Sequence, residues 1–260
     1  MINLPKLQDA DVAGKRVLVR AYVDVGAHFG GVERLRFLVP TLEYLAEKKA
    51  KVVIIGHNGR PEGEVVPELS LMPVGEKLKE ILALQWGEKR VSEFDLEILE
   101  NLRFNPNERA NNLEFAKELA KHGDFYVNES FANSHREHAS IVSLPKLLPH
   151  ACGIRFCEEV ENLQRVFEEP KRPVLALVSG VKEDKLSYIN DFKRFADKIL
   201  IGGRLPDHFE DSKDPKLLVA RLVPDKEDIT LNSVEAFEEE IAKAATIVLS
   251  GPVGRFEDEG

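Results

Sequence analysis

Five arginines and three histidines stand out by position. Arg20, Arg34, Arg60, Arg103 and Arg136, with His57, His135 and His138, fall just after short apolar runs or at the start of a helical pattern. A guanidinium is a planar fork that grips phosphate or carboxylate with two parallel hydrogen bonds and keeps its charge at any working pH. Several forks in one place suit a small substrate with several negative groups. Any one of them alone would more simply be a surface ion pair, but a whole set at strand ends points to an anion pocket. The chain as a whole is acidic, with 36 Lys and Arg against 45 Asp and Glu and a net charge of −9. That balance disfavours nucleic acid as a partner, while a local basic pocket remains compatible with it.

The second half has different chemistry. An apolar run at 174–178 leads into Ser179-Gly180-Val181-Lys182-Glu183-Asp184-Lys185, a small-residue turn with two lysines at a helix start. Glycine permits close backbone approach, a helix N-terminus attracts anions, and lysine adds a mobile charge. Two more such turns follow apolar runs, at Gly202-Gly203-Arg204 and at Ser250-Gly251-Pro252-Val253-Gly254. Neither the Walker A spacing nor Gly-x-Gly-x-x-Gly occurs, so a P-loop or dinucleotide fingerprint is not supported. Three glycine turns at three strand ends are expected to line one nucleotide-sized cleft.

These residues need a scaffold. The β-branched runs 16–25 and 51–56 read as buried strands, and 34–49 between them has the three- and four-residue spacing of an amphipathic helix. The alternation continues with a helix over 72–83, a strand near 89–92, a strand-like 100–102, a helix over 113–122 and a strand at 125–127. After a proline-bracketed link at 143–173 it restarts, with strands at 174–178, 198–201 and 246–249 and helices at 186–196 and 233–244. This order predicts an α/β protein with two parallel sheets and crossover helices. In such sheets ligands bind beyond the carboxyl ends of the strands, where the arginines and glycine turns lie. The two cysteines, Cys152 and Cys157, read as ordinary buried thiols. No apolar run approaches the ~18 residues of a membrane span, and the N-terminus lacks a basic and apolar leader. A cytoplasmic protein without membrane contact is the expectation.

Several pieces together resemble phosphoglycerate kinase in order and spacing. They are Val17-Leu18-Val19-Arg20, His57-Asn58-Gly59-Arg60-Pro61, Glu100-Asn101-Leu102-Arg103-Phe104, Tyr126-Val127-Asn128, Ser134-His135-Arg136-Glu137-His138-Ala139-Ser140 and Gly251-Pro252-Val253-Gly254. The resemblance implies two Rossmann-like lobes with a hinge: 1–150 for the phosphoglycerate, 151–172 as hinge and inter-domain helix, and 173–260 as a reduced nucleotide lobe. It implies phosphoryl transfer between 1,3-bisphosphoglycerate and Mg-ADP, giving 3-phosphoglycerate and ATP, in a monomer. Arg20, Arg34, His57, Arg60, Arg103, His135, Arg136 and His138 carry over as the substrate patch, with Asp24, Asn58 and Gly59 beside them. Arg34 and Lys182 carry over as the catalytic pair. Gly180, Lys182, Lys185, Gly202, Gly203, Gly251 and Glu257 carry over as nucleotide contacts. No general base is needed, because the nucleophile is already a carboxylate or phosphate oxygen.

The chain also departs from the family pattern. Tyr22-Val23-Asp24 stands where the family has Asp-Phe-Asn, and Arg204 and Ser250 replace an expected glycine and asparagine. Lys182 and Lys185 are three apart, one closer than in the family. The glycine-rich loop expected after Gly254, with its Mg²⁺-ligating aspartate, is not found before Gly260. A second expectation follows: a catalytically impaired relative that binds 3-phosphoglycerate or a similar phosphorylated acid as a sensor or interaction module.

Overall fold

The computed structural model describes residues 2–26, 31–209 and 212–254, arranged as two compact units, Ile2–Glu161 and Asn162–Gly260. In the first unit the strands are β1 (Arg16–Ala21), β2 (Lys51–Ile55), β3 (Leu96–Ile98), β4 (Phe125–Glu129) and β5 (His150–Cys152). All are parallel, in the order β3-β2-β1-β4-β5. The helices between them are α1 (Val39–Glu47), α2 (Met72–Trp86), α3 (Glu88–Ser92), α4 (Pro106–Arg109) and α5 (Leu113–Ala120). The 15-residue α6 (Ile154–Glu168) then carries the chain from the first unit to the second.

A strand covered on both faces has no solvent side, which is why β1 reads as an unbroken apolar run. Val17, Val19 and Ala21 face Leu38 and Leu42 on one side of the sheet. Leu18 faces the other side, with Val53, Tyr126, Phe115 and Leu119. The same logic governs the second unit, where β6 (Val174–Val178) is buried throughout, between β7 (Lys198–Ile201) and β9 (Thr246–Ser250). With β8 (Leu217–Val219) these form a parallel sheet in the order β8-β7-β6-β9, accompanied by α7 (Ile189–Phe195) and α8 (Leu231–Lys243). Strand order reverses between β1 and β4 in one sheet and between β6 and β9 in the other. Those are the topological switch points at which α/β sheets open a crevice.

Several expected elements differ. The run 89–92 is the short helix α3, begun after Gly87 at φ +84, and the strand follows it at Leu96–Ile98. Residues Leu102–Phe104 form a 3-10 turn rather than part of a strand. The helix expected over 34–49 is a 3-10 turn at Val32–Leu38 followed by α1, and Pro40 sits in the first turn of α1, where its missing N–H costs nothing. The helix expected over 186–196 likewise starts as a 3-10 turn, Glu183–Tyr188. Strands β5 and β8 were not anticipated, because three residues are too few to show a period. Cys152 and Cys157 are free and buried, and burial pushes the Cys152 thiol up to about 12. Among the described residues no helix is long and apolar enough to cross a membrane.

Candidate functional site

Arg20, the last residue but one of β1, lies at the first switch point with no solvent exposure at all. A buried guanidinium must have partners, and each of its nitrogens has one. Nε donates to Ser140 Oγ at 2.9 Å, Nη1 to the Ala21 carbonyl at 2.5 Å, and Nη2 to His57 Nδ1 at 2.7 Å. Ser140 passes the charge on, since its hydroxyl donates to Glu108 Oε1 at 2.5 Å and its backbone N–H to Glu108 Oε2 at 3.0 Å. Glu108 is fully buried at 0% exposure and lies 3.7 Å from His138 Nδ1. The carboxylate is the counter-charge beneath the patch. Tyr126 completes the floor by donating its hydroxyl to the Ser140 carbonyl at 2.8 Å, and burial drives its phenol well above the ordinary range.

Loops hold the remaining residues. Asn101 caps the 3-10 turn by accepting from Arg103 N, and its amide donates to the Asn58 and Leu69 carbonyls at 2.7 and 2.8 Å. Asp24 accepts from Gly59 N and Asn58 accepts from Gly26 N, both at 2.8 Å. Gly59 needs its φ of +65 and has no room for a Cβ against Leu69. Arg103 Nη1 donates to the Gly59 carbonyl at 2.7 Å, whereas its Nε and that of Arg136 are buried without a partner. A cleft of about 280 Å³ opens beside them, lined by Arg60, Glu62, Arg103, Arg109 and Arg136. Burial, followed by the charges of Arg20, Arg103 and Arg136, lowers His57 to about 2. Burial and Arg103 lower His138 to about 4, and burial and Arg136 bring Arg103 to about 10. Both histidines are neutral at neutral pH, so the cleft's positive charge is guanidinium charge.

Arg34 lies in the 3-10 turn Val32–Leu38, exposed, donating to the Asp24 carbonyl at 2.5 Å with its guanidinium 5.4 Å from the Tyr22 ring centre. His135 is also exposed and does not line the cleft.

In the second unit the three glycine turns lock onto one another. Gly203 N donates to the Val253 carbonyl at 2.7 Å, Arg204 N to the Gly180 carbonyl at 3.0 Å, and Ser179 Oγ to the Gly251 carbonyl at 2.7 Å. A Cβ on Gly203 would stand 2.5 Å from Gly180 N, so this glycine is required by the packing of the turns themselves. Lys185 Nζ donates to the Ser179 and Ser250 carbonyls at 2.8 and 3.2 Å, tying the ends of β6 and β9 together. Lys182 is exposed. Glu257 lies outside the described residues.

A family model for phosphoglycerate kinase matches residues 7–219. The chain belongs to the phosphoglycerate kinase family. The phosphoglycerate kinase of Maricaulis maris is 41% identical over 220 residues, covering 78% of this chain and 55% of that one. That of Finegoldia magna is 31% identical over an alignment of 327 residues, covering 99% of this chain and 83% of the relative. The chain thus spans about half the length of curated relatives such as that of Maricaulis maris. Solved phosphoglycerate kinases from Coxiella burnetii and Pyrococcus horikoshii share the fold, with TM-scores of 0.74 and 0.79 at 24% and 23% identity; each match covers 98% of this chain and 82% of the other.

Sequence reading of this phosphoglycerate kinase relative brought out the arginines, gave Tyr126 a place in the family pattern but no role in the site, and missed Glu108, Arg109 and Glu62. The Glu108-Arg109 pair in the short α4 was the available signal: a carboxylate and a cation five and six residues after Arg103, with no strand beside them. The Mg²⁺ of the family finds no ready donor set, because no group of three or more His, Cys, Asp or Glu is placed to hold a metal among the described residues. None of the buried side-chain atoms that lack a partner belongs to the glycine turns either. The described residues do not fit a protein-built metal site.

Proposed function

We propose that the first unit binds 3-phosphoglycerate or 1,3-bisphosphoglycerate, and that the chain transfers a phosphoryl group between that acid and an adenine nucleotide. The observation behind this reading is the cleft in which Arg103 and Arg136 keep buried, unpartnered Nε–H groups. Unsatisfied buried donors of that kind are costly, and an oxyanion supplies what they lack. Arg20 orients His57 so that a neutral Nε2–H faces the ligand. Arg60, Arg103 and Arg136 hold the anionic groups, and Arg34, exposed and tethered among the described residues only to the Asp24 carbonyl and the Tyr22 ring, is the residue for neutralising charge on the moving phosphoryl. Lys182 plays the matching part in the second unit. The acid is its own nucleophile, so these side chains align groups, offset charge and displace water without moving a proton.

A specific observation favours a second reading, an impaired relative that binds the acid alone. Lys185 gives its ammonium to two carbonyls, and the turn glycines are explained by their mutual packing. Calorimetric titrations with 3-phosphoglycerate, Mg-ATP and Mg-ADP, followed by a coupled assay for ADP release, separate the two. Binding of acid and nucleotide with turnover supports the kinase. Binding of the acid with no nucleotide binding at millimolar concentration leaves the sensor. Failure to bind the acid overturns both.

A further inference from the structure

Glu62 and Arg109 form an ion pair, Nη1 to Oε2 at 2.9 Å, on the wall of the anion cleft. Glu62 sits in the left-handed region at φ +57, a conformation that non-glycine residues seldom adopt without reason. The loop carrying it is fastened to the arginine segment. Gly63 N donates to the Arg103 carbonyl at 3.2 Å, and a Cβ on Gly63 would stand 3.1 Å from Pro106. The two side chains are therefore presented to each other by tethered backbones, although both are largely exposed at 53% and 70%. Arg109 is electrostatically part of the cleft, because its charge is among those that lower Arg103 and His138.

Glu62 brings a carboxylate to a cleft otherwise lined by four arginines, and it pairs there with Arg109, a guanidinium that an oxyanion could equally engage. Among the described residues Arg103 and Arg136 have no ion-pair partner, whereas Arg109 has an internal one in Glu62. We propose that Arg109 is a second phosphate position of the cleft, which the Glu62 carboxylate fills until a doubly phosphorylated small acid displaces it. Glu62 then sets selectivity: a ligand with one phosphate gains nothing by opening the pair, and a ligand with two exchanges one anion for another of higher charge. This inference rests on the proposed anion site and adds to it a specificity-determining pair.

The test uses calorimetric Kd values at fixed ionic strength for 3-phosphoglycerate and for the stable probe 2,3-bisphosphoglycerate. The proteins are the unaltered chain, Glu62→Gln and Arg109→Gln, each checked by circular dichroism. Arg109→Gln is expected to weaken the bisphosphate by about tenfold or more and 3-phosphoglycerate by less than about threefold, and Glu62→Gln to tighten the bisphosphate by about tenfold. Equal shifts for the two ligands, or none, overturn the proposal while leaving the anion site standing. If the unaltered chain binds neither ligand, the anion site itself falls. Because both side chains are surface-exposed, the variants retain the fold. Charge reversal by Glu62→Lys gives an independent reading: a bisphosphate affinity no higher than that of the unaltered chain contradicts the role assigned to Glu62.

Discussion

Arg20 Nη2 and His57 Nδ1 lie 2.7 Å apart, both in side chains with at most 2% exposure. An arginine only donates, so Nδ1 is the acceptor and the ring is the neutral Nε2–H tautomer. Its pKa falls from 6.5 to about 2. The unfolded chain therefore takes up a proton below 6.5 that the native protein refuses until about 2. Stability from this group is complete above 6.5 and is lost as pH falls, at about 1.4 kcal/mol per pH unit. His57→Gln should flatten the acid limb of a urea-denaturation profile between pH 6 and 4 by about that slope. Ring nitrogen shifts should show a neutral His57 down to pH 4.

Glu129 runs the opposite way. It ends β4 at 6% exposure, accepts from Arg155 N at 2.9 Å, and burial raises it from 4.5 to about 7. The native carboxyl thus keeps its proton over a range where the unfolded one is ionised. Its contribution is present below 4.5 and lost as pH rises through 7. Glu129→Gln is expected to remove the decline in Tm between pH 5 and 7.5, measured by calorimetry.

Ser140→Ala should cost about 3 kcal/mol in urea unfolding, because it strands Arg20 Nε and Glu108 Oε1 in the interior. Both atoms have Ser140 Oγ as hydrogen-bond partner. A loss below ~1 kcal/mol would mean that the two charges close on each other directly.

The two lysines of the second unit should separate cleanly. Lys185→Met removes the tie between the ends of β6 and β9, with an expected loss of about 1–2 kcal/mol. Lys182→Met is expected to leave stability within ~0.5 kcal/mol and to abolish phosphoryl transfer.

Arg34→Ala should leave a folded protein, since Arg34 is exposed and bonds a carbonyl of an adjacent loop. Turnover in the coupled assay should fall by about 10³-fold or more, with 3-phosphoglycerate affinity little changed.

The arginines at strand ends were legible because an α/β order and the carboxyl-end rule place them before any coordinate is known. Cys152 and Cys157 were legible as buried thiols for the simpler reason that their spacing suits no metal site. The support beneath the arginines was not. Glu108 looks like any of the chain's 45 acidic residues, and only the fold of α4 turns it inward against Ser140. Lys185 resembles a nucleotide-phosphate lysine of the family, and what its place after a glycine turn did not reveal is that the ends of β6 and β9 bring two carbonyls to its ammonium. Short elements such as β8 carry too little pattern to be seen without their neighbours.

Like charges held together without a ligand repel, and a purely cationic cleft would spread when empty. Glu108, buried under Arg20 and near His138, offsets that repulsion from within. On the proposed reading the cleft is consequently assembled before the acid enters it, and little ordering entropy is left for that acid to meet.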